Sequence, residues 1–115
     1  MNKNEKIIFD IILHAGNARS SSIKAYKLLE YYDFFEAEKL LKEASISLNT
    51  AHKVQTELMQ KEVRGENQDV TLLMVHAQDH VMAAQTIRDI VVNSVKIIKE
   101  LDSRLNKLES RKNDE

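Results

Sequence analysis

The stretch LLMVHAQDHVMAA (72–84) sets three ionisable residues, His76, Asp79 and His80, among leucine, valine, methionine and alanine, with Gln78 between them. On a helix, residues three and four apart share a face. His76 and His80 could therefore hold one metal ion between two imidazoles, with Asp79 as a third ligand. One histidine could instead act as a nucleophile, because a neutral imidazole accepts phosphoryl groups well near neutral pH. A third reading is a buried polar network that fixes the register of a helical bundle. The block is not the His-Glu-x-x-His of zinc proteases, since its acid stands directly before the second histidine. His52 and Gln55, on a separate segment, are the residues that could approach it. Spacing alone leaves the three readings open.

Other groups offer less. His14 lies among the isoleucines of the first helical segment and reads as a core or boundary histidine. SSSIK (20–24) lacks the glycines of a phosphate loop. The chain has no cysteine, which excludes disulfides, thiolate metal sites and cysteine nucleophiles. A formal net charge of −1 gives no global field to attract nucleic acid. No apolar run approaches the roughly 18–20 residues of a membrane span. The opening residues are too polar and acidic for a secretory signal, so the expected location is cytoplasmic.

These residues need a scaffold, and the sequence specifies an all-α one. Proline is absent, glycine occurs only at positions 16 and 65, and the aromatic content of 5% leaves a core of leucine, isoleucine, valine and alanine. The 115 residues suffice for one domain spanning the whole chain. The periodicity predicts a first helix over about residues 4–31, with a kink or break near GNARS (16–20). Asp33 and Glu36 form a capping box opening a second helix that ends near Gly65. RGENQD (64–69) is the clear loop, with Asn67 or Asp69 as the next N-cap. A third helix follows from about Val70 to at least Leu108. Leu73, Ala77, His80, Ala84, Ile87, Val91, Ser94, Ile98, Leu101, Leu105 and Leu108 make a heptad-like seam along it. Residues 100–115 are expected to overhang as a helical extension with a frayed tail. The architecture is an antiparallel up-down-up three-helix bundle.

The third helix is too apolar for that bundle alone. On a wheel turning about 100° per residue, Leu72, Leu73, Ala83, Ile87, Ile90, Val91, Ile97, Ile98 and Leu101 fall within about 60° of His76. Only Gln78, Gln85, Arg88, Asp89, Lys96 and Lys99 read as a solvent stripe. A dimer or trimer built on this helix would cover the excess.

The blocks ILHAGNARS (12–20), LKEASISLNTAHKVQTELMQKEVRGE (41–66) and VTLLMVHAQDHVM (70–82) together resemble one family. It is the lactose/cellobiose-type enzyme IIA component of the bacterial phosphoenolpyruvate-dependent sugar phosphotransferase system, which includes a diacetylchitobiose branch. The resemblance runs from about Ile7 to Ile97. It implies a homotrimer of three-helix protomers. It further implies that His76 is phosphorylated by the carrier protein HPr and passes the group to a cysteine of the IIB component, for uptake of a β-linked disaccharide. Asp79 matches an aspartate on the trimer axis, where three copies hold one divalent ion, expected to be Mg2+. Gln55, His52, His80 and Gln78 are the candidates to orient His76 or bond the phosphoryl oxygens. The alternative is a non-catalytic helical scaffold or regulatory adaptor. Two departures stand out: EYYDFFEA has tyrosine at position 32 where the family usually has glycine nearby, and Ala77 replaces a glycine common in lactose-type members.

Overall fold

The computed structural model describes residues 1–114. Three long helices make up nearly all of it: α1 (Lys3–Leu28), α2 (Phe34–Val63) and α3 (Leu72–Asn113), with a 3-10 turn at Leu29–Tyr31. The second helix runs opposite to the other two. Ile8 lines one groove with Leu73 and Met74, and Tyr26 lines another with Ser94 and Ile97, so α1 and α3 climb in the same direction. This is the predicted up-down-up bundle.

Helix α1 is unbroken through GNARS and the three serines, where a kink was expected. The buried Ser22 hydroxyl donates to the Ala18 carbonyl at 2.8 Å, so it needs no distortion to be satisfied. Helix α1 ends through Tyr32, which has φ of 56° and donates its N–H to the Leu29 carbonyl. Left-handed backbone disfavours any residue with a Cβ. Edge packing of the Tyr32 ring on Phe34, centroids 6.2 Å apart, accompanies it. The turn expected of glycine is thus made by tyrosine. Asp33 then caps α2, accepting the Glu36 N–H at 3.2 Å, while its own N–H goes to the Leu28 carbonyl.

Helix α2 closes on Gly65 at φ of 88°, with Gly65 N–H bonded to the Glu62 carbonyl and Glu66 N–H to Lys61. That pair of bonds satisfies carbonyls the helix end would otherwise leave open. The cap of α3 is Thr71, not Asn67 or Asp69: its hydroxyl accepts the Met74 N–H at 3.1 Å. Extended backbone at Thr71 places that oxygen over the first turn, and Val70 stays outside the helix. At its other end α3 continues to Asn113, with Asp114 N–H bonded to the Ser110 carbonyl. Glu115 lies outside the described residues.

Alanine dominates the places where helices approach. Ala15, Ala18, Ala25, Ala37, Ala44, Ala51, Ala77 and Ala84 are all fully buried. Small side chains let the helix backbones come close, and Ile11, Leu41, Leu48, Val91 and Val95 fill the space beside them. Along α2, Ala37, Ala44 and Ala51 repeat every seven residues, as do Leu41, Leu48 and Gln55. Gln55 therefore occupies a position that the repeat gives to leucine. On α3 the chain buries only Ala77, Val81, Ala84, Val91 and Val95. Leu72, Val75, Met82, Ile90, Ile97, Leu101, Leu105 and Leu108 remain exposed. None of the described helices is long and apolar enough to cross a membrane.

Candidate functional site

Helix α3 positions the whole histidine block, because the buried alanines on either side anchor its opposite face. Ala77 and Ala84 face the core, which turns His76 and Asp79 outward and leaves His80 half-buried. In the single chain, His76 and Asp79 are exposed on the face that the bundle does not use.

One turn apart, His76 and His80 meet edge to face, with ring centroids 4.5 Å apart and planes at 88°. Their Nε2 atoms are 3.1 Å apart. A hydrogen bond at that distance requires one ring to carry the proton and the other to offer a lone pair. With His80 as donor, His76 Nε2 is unprotonated, which is the form an attacking nitrogen needs. The contact holds the two rings in one relative orientation.

Gln78 departs from the sequence expectation. The wheel put it on the solvent stripe; the structure turns it toward α2, half-buried, where its Oε1 accepts a hydrogen bond from Gln55 Nε2. The Met74 sulfur accepts from Gln78 Nε2 at 3.9 Å. The physical reason is the polar residue at the leucine position of α2: a buried Gln55 needs a partner, and Gln78 supplies it. Gln55 and Gln78 therefore join two helices behind the histidine pair and do not line its open side. Arg88, also read as solvent-facing, is three-quarters covered and donates from Nε to the Leu41 carbonyl at 3.4 Å. His52 is exposed on α2, with its carbonyl engaged by the Thr56 hydroxyl. Met74 is the contributor that sequence reasoning missed; its place four residues before Gln78 was the available signal.

Asp79 has no cationic partner among the described residues. It lies along the exposed apolar stripe, near Leu72, Val75, Met82 and Ile90 on the wheel. Among the described residues no three histidine, cysteine, aspartate or glutamate side chains of one chain come together as a metal set. A single carboxylate per chain would suit a hard divalent ion only if several copies converged on it.

A reactive nitrogen at the surface of a rigid helix, steadied by a second ring, suits a group-transfer carrier whose substrates are carried by other proteins. The comparisons with known proteins agree. Residues 6–99 match the family model described as the lactose/cellobiose-specific IIA subunit of the PTS system. The lichenan-specific phosphotransferase enzyme IIA component of Bacillus subtilis is 46% identical over 97 residues, covering 84% of this chain and 88% of that protein. The crystal structure of the PTS cellobiose-specific enzyme IIA from Bacillus anthracis superposes with a TM-score of 0.85 at 37% identity, covering 90% of this chain and 94% of the other. A solution structure of the IIA(chitobiose)–HPr complex from the N,N'-diacetylchitobiose branch of the Escherichia coli system gives a TM-score of 0.75 at 28% identity, covering 89% and 99%. The chain belongs to the lactose/cellobiose-specific IIA family of the sugar phosphotransferase system. It is a phosphotransferase component, a IIA phosphocarrier.

Proposed function

We propose that His76 carries the phosphoryl group, in a cytoplasmic homotrimer that takes it from HPr and gives it to a IIB cysteine. The substrate class is a β-linked disaccharide, since relatives are named for cellobiose, lactose and diacetylchitobiose. The observation that carries the reading is the exposed His76 ring, held at Nε2 by His80 at 3.1 Å.

In the first step the His76 lone pair attacks the phosphorus of phosphohistidine on HPr. A new N–P bond forms in line as the old one breaks, and the departing imidazole keeps the electron pair. Such a transfer depends on positioning and charge stabilisation more than on new covalent chemistry. The His80 N–H, released from the His76 lone pair, is within reach of a phosphoryl oxygen. In the second step a IIB thiolate attacks the phosphorus, and the P–N bond to His76 breaks. Gln55 and Gln78 act at a distance by locking α3 against α2. His52 has no supporting contact with the pair in the single chain.

The trimer rests on the eight large apolar side chains that α3 leaves uncovered. Asp79 sits on that stripe, so a three-fold arrangement brings three carboxylates together. They repel unless protonated or bridged by a cation. One Mg2+ per trimer fits that donor set, held by the three Asp79 side chains, and supplies the neutralising charge that lets the stripe close.

Incubation with phosphoenolpyruvate, enzyme I and HPr tests the carrier role. Acid-labile phosphate is expected on the wild-type chain and not on His76→Ala. Equal labelling of both would place the phosphoryl group elsewhere, and labelling of neither would favour a scaffold or adaptor.

A further inference from the structure

Helices α2 and α3 leave a groove of about 290 Å3 between them, to which α1 contributes nothing. Its floor is apolar, made by Leu41, Val92 and Val95, and its walls carry cations: Lys42 from α2, Arg88 and Lys96 from α3. Arg88, Val92 and Lys96 follow at intervals of four residues, so they share one row along α3. The single carboxylate of the groove, Glu38, is held by Lys99 Nζ at 2.8 Å and is already neutralised. Lys42 and Lys96 have no acidic partner among the described residues. Asp89 stands 3.9 Å from Arg88 Nη1, but it is more than half exposed and accepts from Gln85 Nε2 at 3.0 Å, so it offsets the guanidinium only weakly.

The arginine is fixed in place. It is three-quarters covered, and its Nε donates to the Leu41 carbonyl, which leaves both terminal nitrogens to address a ligand. That bond has a second effect. Ser22, Thr50, Thr56 and Ser94 each donate to the carbonyl four residues earlier. For Ser45 that carbonyl is Leu41, and Arg88 occupies it. The Ser45 hydroxyl, half-buried in the groove wall, donates to no protein group among the described residues.

We propose that this groove binds a phosphate monoester of sugar size, with the phosphate on Arg88, Lys42 and Ser45 and the body lying along Val92 toward Lys96. A carboxylate brings one charge and two oxygens. A phosphate monoester brings about two charges near pH 7 and three acceptor oxygens, which matches an arginine fork, a lysine and a hydroxyl. Lys96 lies about 12 Å beyond Arg88 along the helix, within reach of hydroxyls at the far end of a ligand. A sugar phosphate is also the kind of product a sugar phosphotransferase system makes. The groove is separate from the histidine pair, since Arg88 lies twelve residues beyond His76, about 18 Å along α3. It also lies about 160° around the helix from the exposed Ile90. The inference depends on neither phosphorylation of His76 nor the trimer.

Titration of the 15N-labelled full-length protein with glucose 6-phosphate, at fixed ionic strength, tests it by NMR. The Arg88 Nε–H and the backbone amides of Lys42, Ser45 and Lys96 are expected to shift saturably, with a Kd on the order of 1 mM. Glucose is expected to shift none of them, and inorganic phosphate to bind about three- to tenfold more weakly. Arg88→Gln is expected to abolish binding but also frees the Leu41 carbonyl, so the exposed Lys42→Gln carries the test, with Kd raised about tenfold. Lys96→Gln is expected to weaken glucose 6-phosphate more than inorganic phosphate. Shifts confined to His76 and His80 would overturn the groove and assign the anion to the histidine pair. Equal affinity for phosphate and glucose 6-phosphate would overturn the ester in favour of free phosphate. Shifts that never saturate, and are the same in Lys42→Gln, would reduce the groove to a solvated basic face.

Discussion

Ile90→Ala separates the two faces of α3. Ile90 is 58% exposed in the single chain, while its neighbour Val91 is 3% exposed. Burying an isoleucine side chain completely is worth about 2.5 kcal/mol, so covering the exposed fraction contributes about 1.5 kcal/mol per copy. Alanine keeps roughly a quarter of the side chain, which leaves a loss of about 3 kcal/mol summed over three copies. That is about two decades in the association constant. Because a trimer forms with the square of the monomer concentration relative to each chain retained, the dissociation midpoint should rise roughly tenfold. Sedimentation velocity over a dilution series reads this directly, as passage from about three times the 13.3 kDa chain mass to one. The helical circular dichroism of Ile90→Ala should not fall, since alanine favours helix and the chain's own core is untouched. Val91→Ala is the control: it should lower the thermal stability of the chain itself by about 2 kcal/mol. An unchanged dissociation midpoint for Ile90→Ala, in a wild-type protein that does trimerise, would refute the assignment of this stripe to the interface.

The same geometry sets the other expectations. Removing the imidazole in His80→Ala should slow phosphoryl transfer from phospho-HPr by about 10–100-fold in rapid-quench assays, because a donor to a charged group is lost. An unaltered rate would show that the His76–His80 contact plays no part. Asp79→Leu should keep the trimer and make its dissociation midpoint indifferent to EDTA, whereas wild type should weaken when chelated; equal EDTA sensitivity in both would rule out Asp79 as the metal ligand. Gln55→Ala leaves Gln78 half-buried without its partner and should cost about 1–3 kcal/mol in urea unfolding. Gln55→Ala combined with Gln78→Leu should recover most of that loss, and purely additive losses would deny the coupling. Tyr32→Gly should gain up to about 1 kcal/mol by relieving the left-handed tyrosine, less the lost contact with Phe34; a destabilised variant would mean that the ring packing dominates.

Helix number, direction and approximate ends were legible because long periodic segments with few breaks leave little freedom. The cap at Asp33 and the turn at Gly65 were legible for a local reason: each is made by residues within a few positions. The features that escaped were those decided by another helix. Gln78 reads as solvent-facing on its own wheel, and only the polar residue at the leucine position of α2 shows where it must turn. Arg88 escaped similarly, because its partner is the carbonyl of Leu41. Gly16 suggested a break, but a helix packed on both sides by buried alanines holds its course through one glycine. Tyr32 in left-handed backbone runs against residue preference, and neighbouring helices fix that turn more firmly than its own residue does. The histidine block was legible as chemistry from spacing alone; the proposal that it transfers a phosphoryl group came from the family resemblance.

The polar insert in α3 carries little burial cost in the single chain, because the bundle never covers it. In the proposed trimer the cost would arise on assembly, and the angular order of the residues would divide it. The exposed Leu72, Ile90, Ile97 and Leu108 cluster about 40–60° to one side of His76, and Asp79 falls among them. His80 lies about 40° to the other side. In the proposed trimer, a three-fold axis through the apolar stripe would take Asp79 inside and carry His76 only to the rim. There one shared ion would neutralise the three carboxylates, while each imidazole would stay reachable by a docking protein. Shifting the aspartate by one position would break this division, since it would move by about 100° and leave either the axis or the helix face. In the proposed assembly, the spacing of His76, Asp79 and His80 would let one helix close the trimer and present a reactive nitrogen within a single turn.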